Sequence, residues 1–198
     1  MLESNILMPF PFEEYLIKTV FEIVNQSSFL RLITVFLGSI LPWAIIIWFI
    51  IAVLSVSSFK LKFYYFALAI ISIVISRGLI TGIIHNFFYF PKPLEALGVS
   101  PIISYTLTSG LLSGYMVILA PIIFIFISIH KKLGAIAALF TVFIGVAQIA
   151  AGAYWISAIL IGLLAGSLSF FFVKMILPSV ASLNFILPIN TDDKKDLI

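Results

Sequence analysis

Long apolar stretches separated by short polar or basic groups make up most of the chain. A helix that spans a membrane needs about 20 mostly apolar residues, because the hydrocarbon core of a bilayer is about 30 Å thick. Five stretches meet this requirement, and the pattern therefore predicts five spanning helices. Their approximate bounds are residues 32–59, 63–84, 109–129, 133–151 and 155–173.

The first of these stretches and the segment before it each leave two interpretations open. Pro42 lies within the first stretch, which predicts either one kinked helix or an amphipathic piece followed by a span. In residues 10–26, charged residues such as Glu13 and Lys18 alternate with apolar ones at the spacing of an amphipathic helix. This spacing predicts a helix that lies in the membrane interface, and a sixth span is the alternative.

Composition favours a membrane protein over a soluble one. Of the 198 residues, 63% are hydrophobic and 10% are charged, whereas a soluble domain has about 45–50% apolar and about 25% charged residues. A soluble core of this size cannot bury so many large apolar side chains, so lipid must be the solvent for many of them. The predicted fold class is therefore all-α, a polytopic membrane bundle of five or six helices. Residues 1–28 are predicted to form an interfacial segment, 29–177 the bundle and 178–198 a solvated tail.

Basic residues collect on one side of the predicted bundle. The loops that join the first two spans, and the third and fourth spans, contain Lys60, Lys62 and the run 130–132, which reads His-Lys-Lys. The long loop 85–108 on the opposite side has Lys92 as its one lysine. The positive-inside rule then makes the lysine-rich side and the C-terminus cytoplasmic, and the chain a multi-pass protein of the cytoplasmic membrane.

The sequence also limits the chemistry and the partners of any site. It contains no cysteine, which excludes disulfides and thiolate metal sites. A metal site needs three or four converging ligands, and the predicted outer face offers only His85 and a few glutamates. We therefore expect no metal and no cofactor. Membrane lipids are the expected partners and nucleic acid is not, while the sequence does not identify a protein partner.

Three segments that surface on the predicted outer face carry a resemblance to a known family. They are His85 to Pro93, Thr108 to Leu111, and a third segment that contains Gln148, Tyr154 and Ala158. Their order and spacing resemble the Lys-x6-Arg-Pro, Pro-Ser-Gly-His and Ser-Arg-x5-His-x3-Asp motifs of the type-2 phosphatidic acid phosphatase superfamily. That family comprises membrane lipid phosphatases, including undecaprenyl-diphosphatase-like members, and the resemblance covers about residues 30–175.

The resemblance implies a phosphatase whose catalytic positions are occupied by other residues. In the family, the third-motif histidine takes the phosphoryl group, the aspartate orients it, and the second-motif histidine protonates the leaving group. Tyr154, Ala158 and Leu111 stand at those three positions here. The residues themselves give the same result, because no aspartate precedes Asp192 and no His-Asp pair can form on the outer face. We therefore predict that catalysis is lost and that the protein retains at most binding of a phosphorylated lipid, such as a polyprenyl phosphate, or supports a partner.

Six residues are the candidates for contact with a phosphate group. They are His85, Lys92, Ser109, Gly110, Gln148 and Arg77. Arg77 lies inside the second predicted span, where an arginine costs about 2.5–3.5 kcal/mol on insertion scales. It is therefore expected to face the bundle interior near Gln148, either as part of a site or as a structural residue satisfied by neighbouring carbonyls and hydroxyls.

Other functions remain open at this stage. His85 and Glu95 are either an improvised acid-base pair or, as we favour, the end of a helix and a solvated carboxylate. A working lipid phosphatase that uses the substituted residues is a second hypothesis. A small transporter or assembly subunit is a third, and it would make the resemblance only architectural. Independently of function, Gly162 and Gly166 lie four residues apart in the last span, which predicts close helix packing inside the bundle.

The charge pattern generates a prediction about topology. Because the chain has no cysteine, single cysteines introduced by Ser100→Cys and Ser128→Cys can be labelled selectively with a membrane-impermeant reagent. We expect labelling at position 100 in intact cells, and labelling at position 128 only after the membrane is opened. Labelling of position 128 alone in intact cells would reverse the topology.

Overall fold

The computed structural model describes residues 11–83, 91–96, 98, 102 and 112–177. Within these ranges the fold is all-α, as predicted, with six long helices and one helical turn at Pro93–Ala96. The long helices are α1 (Pro11–Gln26), α2 (Ser28–Leu54), α3 (Phe59–Ile83), α4 (Gly114–Ile129), α5 (Lys131–Ala150) and α6 (Ile156–Ile176).

Four helices are long and apolar enough to cross a membrane, namely α2, α3, α5 and α6. The chain thus has the helices of a multi-pass membrane protein. Helix α4 is shorter, with 16 residues, and at about 1.5 Å per residue it rises about 24 Å, less than a hydrocarbon core of about 30 Å. The prediction of five full-length spans is therefore corrected to four among the described residues. The predicted start of the third span, residues 109–111, lies outside them.

Helix α2 continues through Pro42, so the two-piece alternative for the first span is wrong. The helix changes to π-helical geometry over Phe36–Ile40, where the N–H of Leu41 donates to the carbonyl of Phe36. Proline removes one N–H donor and crowds the preceding turn. The wider π turn just before Pro42 accommodates that local change while the helix goes on to Leu54.

Helix α4 is the centre of the bundle and contacts α2, α3, α5 and α6. It is apolar on all sides, and a helix of that composition is stable only when it is buried. Its buried side chains include Met116, Val117, Leu119, Ile122, Ile125 and Phe126. The surrounding helices instead expose large apolar side chains such as Trp43, Leu139 and Leu164, the surface expected of helices that face lipid.

Helices α4 and α6 approach each other closely because Gly166 faces a proline-modified turn. Pro121 has no N–H, so the carbonyl of Val117, four residues earlier, has no helical donor. A Cβ on Gly166 would lie 2.6 Å from that carbonyl oxygen, and one on Gly162 would lie 3.1 Å from the carbonyl oxygen of Ser113. The glycine Cα–H groups therefore sit where weak C–H···O contacts form. The predicted packing role of this glycine pair is confirmed.

Helix α1 is amphipathic, as predicted. It buries Ile17, Phe21 and Val24 and contacts α2 and α5. Its charged residues Lys18 and Glu22 are exposed. Helix α1 has 16 residues and is not among the helices long enough to span a membrane, so the alternative of a sixth span finds no support.

The glycine contacts generate a graded prediction about stability. Gly166→Ala is expected to lower the free energy of unfolding by about 1–3 kcal/mol, because overpacking against backbone cannot relax easily. Gly162→Ala should cost less, since its Cβ would meet backbone at 3.1 Å, 0.5 Å farther than the 2.6 Å at Gly166. Gly145→Ala is the control, because its Cβ would make an ordinary 3.5 Å contact and alanine favours helix by about 1 kcal/mol. Thermal unfolding in detergent measures the order, and equal melting temperatures for all three variants would contradict it.

Candidate functional site

Separated parts of the chain meet at the end of the bundle where α5 ends and α6 begins, called here the Gln148 end. It comprises Arg77, Pro91–Lys92, Ser113–Gly114, the connection from Gln148 to Ser157, and Glu13. A Schellman motif shapes the connection, with the N–H of Gly152 donating to the carbonyl of Ile149 and the N–H of Ala153 to that of Gln148, each at 2.9 Å.

The connection between α5 and α6 is unusual because it is buried. Gly152 has a φ of +65°, which a side-chain-bearing residue rarely adopts, and residues 151–155 are all buried. Connections normally lie on the surface, where water satisfies their polar groups. Other segments of the chain cover this one and supply its partners.

The segment at residues 91–92 forms part of this cover. The indole Nε1 of Trp155 donates to the carbonyl of Pro91 at 2.8 Å. The Nζ of Lys92 lies 5.7 Å from the centroid of the Tyr154 ring, within range of a cation–π contact. Two of the three predicted motifs, the one around Lys92 and the one around Tyr154, are therefore in contact.

Helix α1 supplies another part of the cover. The carboxylate of Glu13 is buried and accepts hydrogen bonds from the backbone N–H and the hydroxyl of Ser157, each at 3.1 Å. Ser157 lies in the first turn of α6, so Glu13 places a negative charge at the positive end of that helix dipole. From the sequence, Glu13 was predicted only to lie on a polar helix face, because a contact at a separation of 144 residues leaves no local signal.

A buried hydrogen bond joins α5 to the start of α4. The hydroxyl of Ser113 donates to Oε1 of Gln148 at 2.6 Å, and both side chains are fully buried. The Nε2 of Gln148 is also buried and has no hydrogen-bond partner among the described residues. An unsatisfied buried donor costs about 1–3 kcal/mol, so a further acceptor that reached this amide would bind favourably.

The side chain of the N-cap residue leaves the first turn of α4 uncapped. Ser113 is that residue and its side chain makes no hydrogen bond to the turn, because its hydroxyl bonds Gln148 instead. Next to it, the guanidinium carbon of Arg77 lies 4.0 Å from the position that a Cβ on Gly114 would take. A helix N-terminus carries about half a positive charge. Together with an arginine, it forms an electropositive position suited to an anion.

The structure corrects the prediction for Arg77. This residue was expected to face the interior of the bundle, but its side chain is exposed. The physical reason is its position in the π-helical segment Val74–Ile80, near the end of α3. From there the long side chain extends along the surface to Gly114 and keeps its charge out of the apolar core.

The predicted site residues are brought together only in part. Gln148 and Ala158 both contact Ser113. Gln148 accepts from the hydroxyl of Ser113, and the carbonyl of Ala158 accepts from the backbone N–H of Ser113 at 3.3 Å. Ser113 and Gly114 were missed as site residues, although a serine just before an apolar helix is an N-cap signal.

The other predicted positions lie outside the described residues, namely His85, Ser109, Gly110 and Leu111. The predicted pair between His85 and Glu95 is untested for the same reason. Among the residues that the structure covers, no group of three or more His, Cys, Asp or Glu side chains suits a metal ion.

Four helices of spanning length give the chain the helices of a multi-pass membrane protein, and its described residues include a buried polar cluster at one end of the bundle. Comparison of the chain with family models, with curated proteins and with solved structures finds no match. The resemblance to type-2 phosphatidic acid phosphatases therefore remains a prediction based on motif order and spacing.

The bond between Ser113 and Gln148 generates a double-mutant prediction. Ser113→Ala is expected to cost about 1–3 kcal/mol of stability, because it leaves both ends of a buried amide unpaired. The double change Ser113→Ala/Gln148→Leu should recover most of that loss, since it removes both partners at once. Ser128→Ala is a matched control, because the exposed hydroxyl of Ser128 bonds only its own helix, at Phe124. Thermal unfolding measures all three variants, and a double variant no more stable than Ser113→Ala would refute the coupling.

Proposed function

We propose that this membrane protein binds the phosphate group of a phosphorylated lipid at the Gln148 end and does not hydrolyse it. One observation carries the proposal, namely the guanidinium of Arg77 beside the uncapped start of α4. Arginine keeps its charge at all physiological pH values and its planar group matches phosphate oxygens. Backbone N–H groups at a helix start match the same oxygens.

The neighbouring helix shows how an anion is accommodated at this end of the bundle. The first turn of α6 receives the carboxylate of Glu13, whereas the first turn of α4 is not capped by its own N-cap residue Ser113 and has an arginine next to it. An anion from outside the chain therefore fits α4 in the way that Glu13 fits α6. The buried amide of Gln148, bonded to Ser113 at the same helix start, supplies one more donor.

An amphiphilic ligand fits this position better than a water-soluble one. Arg77 is exposed on a helix of membrane-spanning length, and Ile70 and Val74, seven and three residues before it, are also exposed. Residues at this spacing share one face of a helix. A lipid whose phosphate reaches Arg77 can thus lay its chains along the apolar stripe below.

The absence of hydrolysis follows from the positions that the resemblance assigns to the chemistry. Tyr154 and Ala158 stand there, and both are buried. Neither residue is the histidine or the aspartate that phosphoryl transfer requires at these positions. Phosphate release by the unmodified protein would favour the working-phosphatase hypothesis, and no binding of lipid phosphates at all would favour a transporter or assembly subunit.

Lipid binding by arginine variants tests the proposal. The full chain is purified in detergent and titrated with short-chain phosphatidic acid, with diacylglycerol as the phosphate-free comparison. Arg77→Gln is expected to weaken phosphatidic acid binding about tenfold or more, because hydrogen bonds to charged groups contribute about 1.5–3 kcal/mol. Diacylglycerol binding should not change.

Arg31→Gln is the matched control, because Arg31 is an exposed arginine on another spanning helix, α2. It is expected to bind phosphatidic acid as the unmodified protein does. Equal loss in both arginine variants would show nonspecific attraction, and no loss in Arg77→Gln would refute the site. Phosphate release is measured in the same samples and is expected to stay at background.

A further inference from the structure

The face of α1 that packs on the bundle contains a buried carboxylate among buried apolar side chains. Ile17, Phe21 and Val24 are the apolar residues, and Glu13, one turn before Ile17, is buried on the same face. An apolar side chain would be buried at this position at lower cost, because a carboxylate must give up its hydration. What the carboxylate adds is its pair of hydrogen bonds to Ser157.

The start of α6 obtains its side-chain cap from α1. The N-cap residue of α6 is Trp155, whose indole has no hydrogen-bond acceptor and makes no capping bond. The carboxylate of Glu13 instead accepts from the backbone N–H and the hydroxyl of Ser157, in the first turn, each at 3.1 Å. It thereby satisfies an N–H that has no acceptor within the helix, and it offsets the helix dipole. Glu13 thus stabilises the first turn of α6.

The start of α6 in turn holds the start of α4. The carbonyl of Ala158, the residue after Ser157, accepts from the backbone N–H of Ser113 at 3.3 Å. The hydroxyl of Ser113 donates to Gln148, and the carbonyl of Ser113 accepts from the N–H of Val117 at 3.2 Å. These three bonds of Ser113 set the direction of the first turn of α4.

We propose that Glu13 is a positioning residue of the phosphate site at the Gln148 end, which acts through Ser157 and Ala158 on the start of α4. The inference rests on the proposed lipid-phosphate binding and adds a residue of α1 to it. Each link between Glu13 and Ser113 is a hydrogen bond or a peptide bond. The N–H groups that follow Ser113 have no acceptor within the helix, and their directions follow that of Ser113. Loss of the Glu13 bonds therefore loosens these donors without removing any of them.

Glu13 contributes a shape and a charge, and the two have separable effects on a bound phosphate. Its hydrogen bonds position the donors, whereas its negative charge repels another anion at the same end of the bundle. Glu13→Gln keeps the shape and removes the charge. The amide oxygen can accept from the N–H of Ser157, and the amide nitrogen can donate to the hydroxyl of Ser157.

Lipid binding by Glu13 variants tests the proposal. The full chain in detergent is titrated with short-chain phosphatidic acid and with diacylglycerol, below the lowest melting temperature among the variants. Glu13→Ala is expected to weaken phosphatidic acid binding about fivefold, the worth of one lost hydrogen bond, and to leave diacylglycerol binding unchanged. Glu13→Gln should bind phosphatidic acid at least as tightly as the unmodified protein. Full binding by Glu13→Ala, or equal losses in both variants, would overturn the positioning role.

Two controls separate positioning from loss of charge and from loss of stability. Glu14→Ala removes the same charge from the next residue of α1, which is exposed. Val53→Ala opens a cavity at a buried position of α2 and should lower the melting temperature. Both controls are expected to bind phosphatidic acid as the unmodified protein does. A loss in either control as large as that in Glu13→Ala would contradict the proposal.

A measurement without lipid tests the path from α1 to α4 itself. In protein that contains isotope-labelled glycine, the amide NMR signal of Gly114, in the first turn of α4, is assigned by its absence from Gly114→Ala. This signal is expected to shift in Glu13→Ala and to return in Glu13→Gln, because only the first variant lacks the bonds to Ser157. It should not move in Glu14→Ala or Val53→Ala. An unmoved signal in Glu13→Ala would rule out the path.

Arg77→Gln, titrated in the same series, distinguishes the failure of this role from the failure of the proposed function. Weaker phosphatidic acid binding in both Arg77→Gln and Glu13→Ala is the expected result. Weaker binding in Arg77→Gln alone would overturn the role of Glu13 and leave the phosphate site standing. Unchanged binding in Arg77→Gln would overturn the phosphate site, and with it the role of Glu13 in that site.

Discussion

The contact between Gly166 of α6 and the carbonyl of Val117 in α4 is the constraint on which the rest of the bundle depends. Helix α4 is apolar on all sides and must be enclosed, and Pro121 leaves one of its carbonyls without a helical donor. Only a residue without a side chain can approach that carbonyl as closely as α6 does. The same approach brings Gly162 onto Ser113 and so sets the start of α4 beside the start of α6. The site at the Gln148 end is therefore a consequence of core packing.

The adjacent starts of α6 and α4 have charged side chains of opposite sign beside them. Glu13 reaches across from α1 and gives α6 a buried carboxylate. Helix α4 has a serine in the position of a capping residue, but that serine bonds Gln148, and the charged group nearby is Arg77. A carboxylate beside a helix start offsets the dipole, whereas an arginine adds to it. Stabilisation of the α6 dipole accounts for Glu13. Stabilisation of the α4 dipole does not account for Arg77, and the anion proposed as ligand would offset both positive charges.

Apolar run length predicted the helices well, and it predicted the site in part. The fold class and the glycine packing follow from composition and spacing, which are local properties of the sequence. The reduced length of α4 could not be predicted, because apolar residues outside a helix have the same composition as those within it. The direction of the Arg77 side chain could not be predicted either, because it depends on packing. The bond from Glu13 to Ser157 was equally inaccessible, because contacts across 144 residues leave no periodic trace. Ser113 was accessible in principle, as an N-cap residue before an apolar helix.

The geometry of the Gln148 end bears on which ligand the proposed site would select. At the Gln148 end, one arginine stands beside backbone N–H groups whose directions are fixed by the helix, and a buried amide lies next to them. Fixed donors discriminate between ligands because a wrong ligand leaves them unpaired, whereas exposed lysines adjust at little cost. A phosphate that ends in free oxygens satisfies more of these donors than a phosphodiester does. In the proposed function, selectivity for a lipid phosphate is therefore assigned to Arg77 and the start of α4.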